Sequence, residues 1–421
     1  MDRTPDEKRR CGASADGSAL TSMDMVLKAT DPRRKVLVFK SNLLPLSETF
    51  IKNQVLSYQS WRAALVGMFP ENHGLALNRI DTILFHQNKD AAKRDLNLLA
   101  RLRIARWGHV KALRAQNAAL LHVHFATEAV MWWPLLRRLN LPTVVTLHGQ
   151  DINVHPHVWK KHRVWSPGFF YPERLTSLAA DPRAHFVAVS HAIKSRAIEF
   201  GLPADRIAVC YIGVNRSDFL PADVPVSRRA RRILFVGRFV EKKGAQFLIE
   251  AYSRVRTVLP DAELVMIGNG PLFEQLQSLA KELRQPVEFT GSLPHEDVKR
   301  HMGSTRVLCA PSITAADGDA EGLPTVIPEA QACGLPVVTS ARGGAMEGIR
   351  DGETGLAFRE KDVESLANHL TRLLADDSLA ESMSRAATGH AAEAFDIHKC
   401  TRRLEARYDE WMAESRPLVA V

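Results

Sequence analysis

Short runs rich in Val, Ile and Leu alternate with longer helical stretches along almost the whole chain, and this alternation constrains the fold more than any other feature. Repeated strand–helix–strand units predict mostly parallel sheets with helices on both faces. In the first half the expected strands are 35–40, 63–68, 81–86, 120–126, 142–148, 185–190 and 207–212. In the second half they are 232–237, 262–267, 287–290, 306–311, 336–339 and 355–358. The chain has 421 residues, more than one ordinary core holds, so two domains are expected. Residues 220–231, rich in Pro, Arg and Ala and poor in periodicity, read as the linker. The reading is α/β: two Rossmann-like doubly wound domains, 35–219 and 232–396, facing a central cleft where strand ends from both sides meet a ligand. The stretch 397–421 reads as a C-terminal helix that belongs to the second domain or crosses back to the first.

Composition narrows the setting. The five cysteines (Cys11, Cys210, Cys309, Cys333, Cys400) are odd in number and scattered, which suits neither a disulfide framework nor a zinc site. No stretch approaches the ~20 apolar residues of a membrane-spanning helix. Residues 1–34 are polar, lack the apolar centre of a signal peptide and read as a flexible extension, so a cytoplasmic enzyme is expected. The net charge of +9 favours anionic partners without choosing among nucleic acid, lipid and phosphorylated substrates. Neither an aromatic-studded sheet nor a reading helix for nucleic acid is apparent.

Three segments concentrate chemistry. In the first, Glu321 precedes Gly322, Leu323, Pro324 and Thr325, where a helix is expected to start, and Glu329 lies about one turn inside it. Free backbone N–H groups at a helix start favour anions, and carboxylates eight residues apart can serve different parts of one extended ligand. A second glycine loop, Gly343–Gly344, follows the next strand. In the second segment a strand ends in Gly237, and Arg238 and Lys243 follow on a short loop. A guanidinium grips two phosphate oxygens at once and a lysine acts as a point charge, so the pair suits a pyrophosphate. In the third, His148 ends a first-domain strand, placed to meet a sugar hydroxyl or a phosphate oxygen. Each has a plainer reading as a capped helix, solvated loop charges or a structural histidine. The pair His122 and His124 lacks a third ligand and reads as packing. Asp317 and Asp319 read as loop polarity, and no metal is expected to be required.

Together these segments resemble the retaining family-four glycosyltransferases of the GT-B fold, over roughly residues 35–404. The most specific part is the Glu-x7-Glu pattern at Glu321 and Glu329 with the Gly343–Gly344 loop. The VGR…KKG segment, Ile267 to Pro271, Phe289 to Gly291 and Ile212 to Asn215 follow in the family's order. Leu46 to Ile51 and the acidic loop before Glu321 look like enzymes of exopolysaccharide assembly, such as those for colanic acid and amylovoran.

The resemblance implies that Glu329 holds the ribose hydroxyls and that Arg238 and Lys243 hold the pyrophosphate. It places Glu321 at the donor sugar, with the amides of Gly322 and Leu323 assisting, and His148 at the sugar or acceptor. Gly237, Gly268, Thr325 and the stretch Gly291 to Leu293 complete the expected nucleotide site. It implies hexose transfer from a nucleotide diphosphate sugar, a UDP-sugar before a GDP-sugar, onto a saccharide or lipid-linked oligosaccharide, with no cofactor. No first-domain carboxylate stands out as a nucleophile, so retention calls for front-face attack, with charge on the leaving diphosphate stabilised electrostatically. The segment 93–114 carries seven Lys or Arg and one Asp, and Leu99, Leu102, Val110 and Leu113 can share one helical face there; it reads equally as an anionic-membrane contact or a solvated helix flank. Other readings are a GT-B epimerase or phosphorylase and a non-catalytic nucleotide-sugar-binding protein. A nicotinamide enzyme lacks support, because no G-x-G-x-x-G follows the first strand.

Overall fold

The computed structural model describes residues 31–414, apart from 73, 162–167 and 169. Most of the N-terminal extension therefore lies outside the described residues. All thirteen expected strands are present, within a few residues at their ends. We label them β1 (Arg34–Phe39), β2 (Trp61–Gly67), β3 (Asp81–Leu84), β4 (Leu120–His124), β5 (Thr143–Leu147), β6 (Ala184–Ala188) and β7 (Ile207–Val209), then β8 (Arg232–Val236), β9 (Glu263–Ile267), β10 (Val287–Gly291), β11 (Val307–Ala310), β12 (Val337–Ser340) and β13 (Gly355–Phe358).

The first seven form one sheet in the order β3-β2-β1-β4-β5-β6-β7, and the last six a second in the order β10-β9-β8-β11-β12-β13. Every pairing is parallel. The central strands are buried along nearly their full length, because helices cover both faces and leave no side for polar alternation. Strand order reverses beside β1 and β4 in one sheet and beside β8 and β11 in the other. Crevices therefore open at the C-terminal ends of those four strands. A second, two-stranded pairing of Asn42–Leu43 with Phe69–Pro70 flanks the first sheet.

The C-terminal helix Ile397–Glu414 packs on the first sheet. Leu404, Tyr408 and Trp411 are buried among Val36, Val38 and Trp61. The Tyr408 hydroxyl lies 2.8 Å from that of Tyr58 and 2.6 Å from Nδ1 of His122. Glu405 accepts the backbone N–H groups of Gln59, Ser60 and Trp61 at 2.8–2.9 Å. The two crossings between the halves meet: Val214 donates to the Phe395 carbonyl at 2.7 Å and accepts from Ile397 at 3.1 Å.

The basic segment 93–114 departs from expectation. It is not one helix but the helix Lys89–Asn97, a π turn Leu98–Leu102, Arg103 at φ 60°, and the helix Trp107–Arg114. Leu99, Val110 and Leu113, expected to line a shared apolar face with Leu102, are core residues. Burial of three of those four side chains decided the break. The apolar groups it leaves exposed are Leu102, Ile104 and Trp107, at the tip of the turn.

Candidate active site

The loop after β8 and the loop before the helix Val326–Ala332 meet through charge. Glu241–Lys243 forms a 3-10 turn that points two lysines at the acidic stretch. Lys242 Nζ lies 3.0 Å from an Asp319 carboxylate oxygen, and Lys243 Nζ lies 3.1 Å from Glu321 Oε1. All four side chains are at most 21% exposed, so solvent screens these pairs weakly. Burial works against the charged form of Glu321, but Lys243 and Lys242 together outweigh it and hold the carboxyl below its ordinary range. Asp319 behaves oppositely, raised by burial in spite of Lys242. Asp319 is therefore more than loop polarity. Sequence reading also missed Lys242, although adjacent lysines facing two acids at i and i+2 are a usable signal.

Two cavities flank this charged seam. One, of about 650 Å³, is bounded by Arg238, Lys242, Lys243 and Asp319 from the second half and by Lys40, Glu48 and Gln150 from the first. The other, of about 310 Å³, is lined by Glu321, Ser340, Arg342 and Gly343 from the second half and by Ile193 and Arg196 from the first. The Lys243–Glu321 pair is where they adjoin. Arg238 is solvent-exposed on the rim of the larger cavity.

Glu329 lines neither cavity. Its carboxyl is pushed up to about 7 by burial, with Lys243 the one charge acting to lower it. Thr325 immediately precedes the helix that carries Glu329 without a capping side-chain bond, and its carbonyl accepts the Glu329 N–H at 3.1 Å. Leu323 is buried. Gly237 stands against the Lys243 side chain, with room for a Cβ 3.4 Å from Cε. Gly268 sits at φ 145°, a conformation that disfavours any Cβ, and its N–H donates to Gly291 at 2.9 Å. The ends of β8, β9 and β10 therefore close together through backbone. Leu293, just beyond, is half-buried against the core.

The first half meets this site through His148 and its neighbours. A Cβ on Gly322 would overlap the His148 carbonyl oxygen, and one on Gly344 would overlap the Gly322 carbonyl oxygen. Gly343 and Gly344, expected as a loop, open the short helix Gly343–Glu347, and the acidic loop is pressed between the end of β5 and the start of that helix, closer than any side chain permits. Asn153 donates to the Ala320 carbonyl at 2.9 Å. Glu347, at the end of that short helix, accepts the N–H groups of His191 and Ala192 at 2.8 Å, capping the helix His191–Phe200 across the cleft.

The His148 ring lies between Phe125 and Phe50, with Nε2 3.1 Å from His124 Nδ1. Burial first, then His122 and Lys40, depress its basicity to about 3, so it is a neutral imidazole. His122 is likewise depressed to about 3 by burial, and both its nitrogens are engaged, by Tyr408 and Thr146. Lys40 lies 3.1 Å from Glu48 and 3.2 Å from Glu128, a charged knot at the end of β1 that sequence reading did not single out.

The chain is similar to known proteins. The sequence model of the family "Glycosyl transferases group 1" matches residues 218–390, and that of "Glycosyltransferase Family 4" matches residues 77–218. The chain is 30% identical to the amylovoran biosynthesis glycosyltransferase AmsK of Erwinia amylovora, over 69% of each chain. It belongs to the family-four glycosyltransferases of the GT-B fold. A GDP-mannose-dependent alpha-(1-6)-phosphatidylinositol monomannoside mannosyltransferase of Mycolicibacterium smegmatis is 35% identical, over 41% of this chain and 48% of that protein. The chain thus matches about half the length of that relative. The fold also matches the crystal structure of Anabaena HepE in complex with UDP-glucose, with a TM-score of 0.72 at 20% identity, covering 89% of this chain and 99% of that one. This glycosyltransferase accordingly takes a nucleotide-sugar donor and a saccharide acceptor, as its family does. None of its described helices is long and apolar enough to cross a membrane.

Proposed function

We propose that this family-four enzyme transfers a hexose, with retention, from a nucleotide diphosphate sugar to a lipid-linked oligosaccharide during exopolysaccharide assembly. The paired seam of Lys242–Asp319 and Lys243–Glu321 between two cavities carries the reading. Without donor, each lysine is neutralised by a carboxylate. A diphosphate entering beside Arg238 replaces those carboxylates as the partner of the cations, and Glu321 is then released to accept hydroxyl groups of the donor sugar. Glu329 takes the ribose hydroxyls, and the amides of Gly322 and Leu323 approach the sugar. Thr325, Gly237, Gly268, Gly291 and Leu293 shape the nucleotide side. The neutral His148 offers a hydrogen bond to sugar or acceptor without adding charge.

The acceptor hydroxyl attacks the anomeric carbon on the face that the diphosphate leaves. As the carbon–oxygen bond breaks, its electron pair goes to the diphosphate, which takes the acceptor proton. Arg238, Lys242 and Lys243 stabilise that leaving charge, and neither a metal nor a cofactor is needed. A UDP-sugar follows from the motif resemblance, and the GDP-mannose-dependent relative favours GDP-mannose as the second donor to test. A thermal-shift panel of nucleotide sugars separates them, since a ligand bound only by the native state raises its melting temperature. Failure of every nucleotide sugar to stabilise the protein would overturn the reading.

The exposed Leu102, Ile104 and Trp107, beside Arg101, Arg106 and Arg114, support docking on the inner face of the cytoplasmic membrane, where a lipid-linked acceptor resides. Sedimentation with anionic but not neutral vesicles is expected. Equal sedimentation with both counts against it.

A further inference from the structure

Outside the cleft, three side chains that the glycosyl transfer does not use converge on one point. His86 follows the edge strand β3, Asp95 lies in the helix Lys89–Asn97, and His109 lies in the helix Trp107–Arg114. Nε2 of His86 and Nε2 of His109 stand 3.0 and 3.3 Å from the same oxygen, Oδ2 of Asp95. All three candidate ligand atoms fall within 4.8 Å of one another. For bonds of about 2.0–2.1 Å, neighbouring ligands of a tetrahedral zinc ion are about 3.3 Å apart. The two nitrogen–oxygen distances already match that edge. We propose that His86, Asp95 and His109 bind a tetrahedral divalent transition-metal ion, Zn²⁺ or a metal of like preference, with water as the fourth ligand.

The surroundings suit this assignment. Asp95 is 2% exposed, so its carboxylate needs compensating charge. Arg106 contacts Oδ1 at 2.5 Å and leaves Oδ2 to the imidazoles, the division of labour of a ligating carboxylate with an outer partner. His109 is stacked on Phe85 at 4.0 Å, which fixes the plane of its ring. The set of two imidazoles, one carboxylate and an open position is typical of zinc. None of the three residues lines either cavity of the active site. The ion would fasten the edge of the first sheet to the two helices that hold the exposed tip at Leu102, Ile104 and Trp107. Its presence is independent of the reaction proposed above.

The test uses the full chain without a polyhistidine tag, stripped with a chelator and titrated with Co²⁺. Visible d–d bands of tetrahedral intensity should saturate at one ion per chain and disappear when Zn²⁺ is added. His86→Asn and His109→Asn should each weaken Co²⁺ binding at least tenfold, while His398→Ala, at an exposed histidine on the C-terminal helix, should leave it unchanged. Absence of such bands, or wild-type affinity for Co²⁺ in both Asn variants, overturns the site. If a variant does not fold, modification of the wild type by diethyl pyrocarbonate decides. Zn²⁺ should protect His86 and His109, and reaction of both at undiminished rate overturns the proposal.

Discussion

The two halves use one architecture, and the central strand ends of each treat charge differently. At the ends of β8 and β11, lysines and acids are paired at 3.0–3.1 Å, so the second half offers a charged, low-dielectric surface. At the ends of β4 and β5 the first half presents His124 and His148, both held neutral by burial, between aromatic rings. A surface built from ion pairs can exchange its internal anions for a substrate's phosphates. A surface of neutral imidazoles and aromatic edges suits uncharged hydroxyl groups. The ends of β8 and β11 thus differ in electrostatics from those of β4 and β5, although Lys40 and Glu48 also bring charge to the larger cavity from the first half.

That contrast can be broken or sharpened experimentally. Lys243→Ala should show the largest effect, lowering kcat by about 10²–10³-fold, the range for loss of one group that stabilises a leaving anion. KM for the acceptor should stay within about threefold in steady-state assays. An equal loss in both would erase the distinction between the two sides.

Glu329→Gln should abolish donor stabilisation and yet make the free enzyme more stable at pH 8 by up to about 3 kcal/mol in denaturant titrations. The sign follows from a carboxyl raised from 4.5 to about 7 in the folded state. The unfolded chain releases this proton above pH 4.5 and the native state holds it until about 7, so this group's contribution falls as pH rises across that window. The variant should lose that slope, and an unchanged slope would show that Glu329 is not the group responsible.

Gly322→Ala should cost about 1–3 kcal/mol of stability by forcing the acidic loop away from the His148 carbonyl, together with most donor affinity. Wild-type affinity in this variant would show that the close approach of the halves is dispensable. His148→Gln should act least on the pH profile. With the wild-type ring already neutral above pH 4, kcat should fall by about tenfold without any shift of the acid limb. A lost ionisation near pH 6 would mean that the first half carries charge during turnover.

Strands were legible because buried parallel strands must be continuous apolar runs, and the pairing of Lys243 with Glu321 draws on two segments that are each short in sequence. Glu321 and Glu329 are eight apart, and Gly237 to Lys243 spans one loop. The residues missed owe their meaning to distant partners. Lys242 needs Asp319, Lys40 needs Glu128, and Glu347 needs the helix start at His191, pairings that no local spacing encodes. The segment 93–114 misled for a related reason: its apolar positions satisfy a helical period while serving the core of the first half.

The meeting of Val214 with Phe395 and Ile397 has a mechanical consequence. The polypeptide passes between the halves twice, and both passages are stitched together at this one place. A relative rotation of the halves that kept these two hydrogen bonds would have to pivot there.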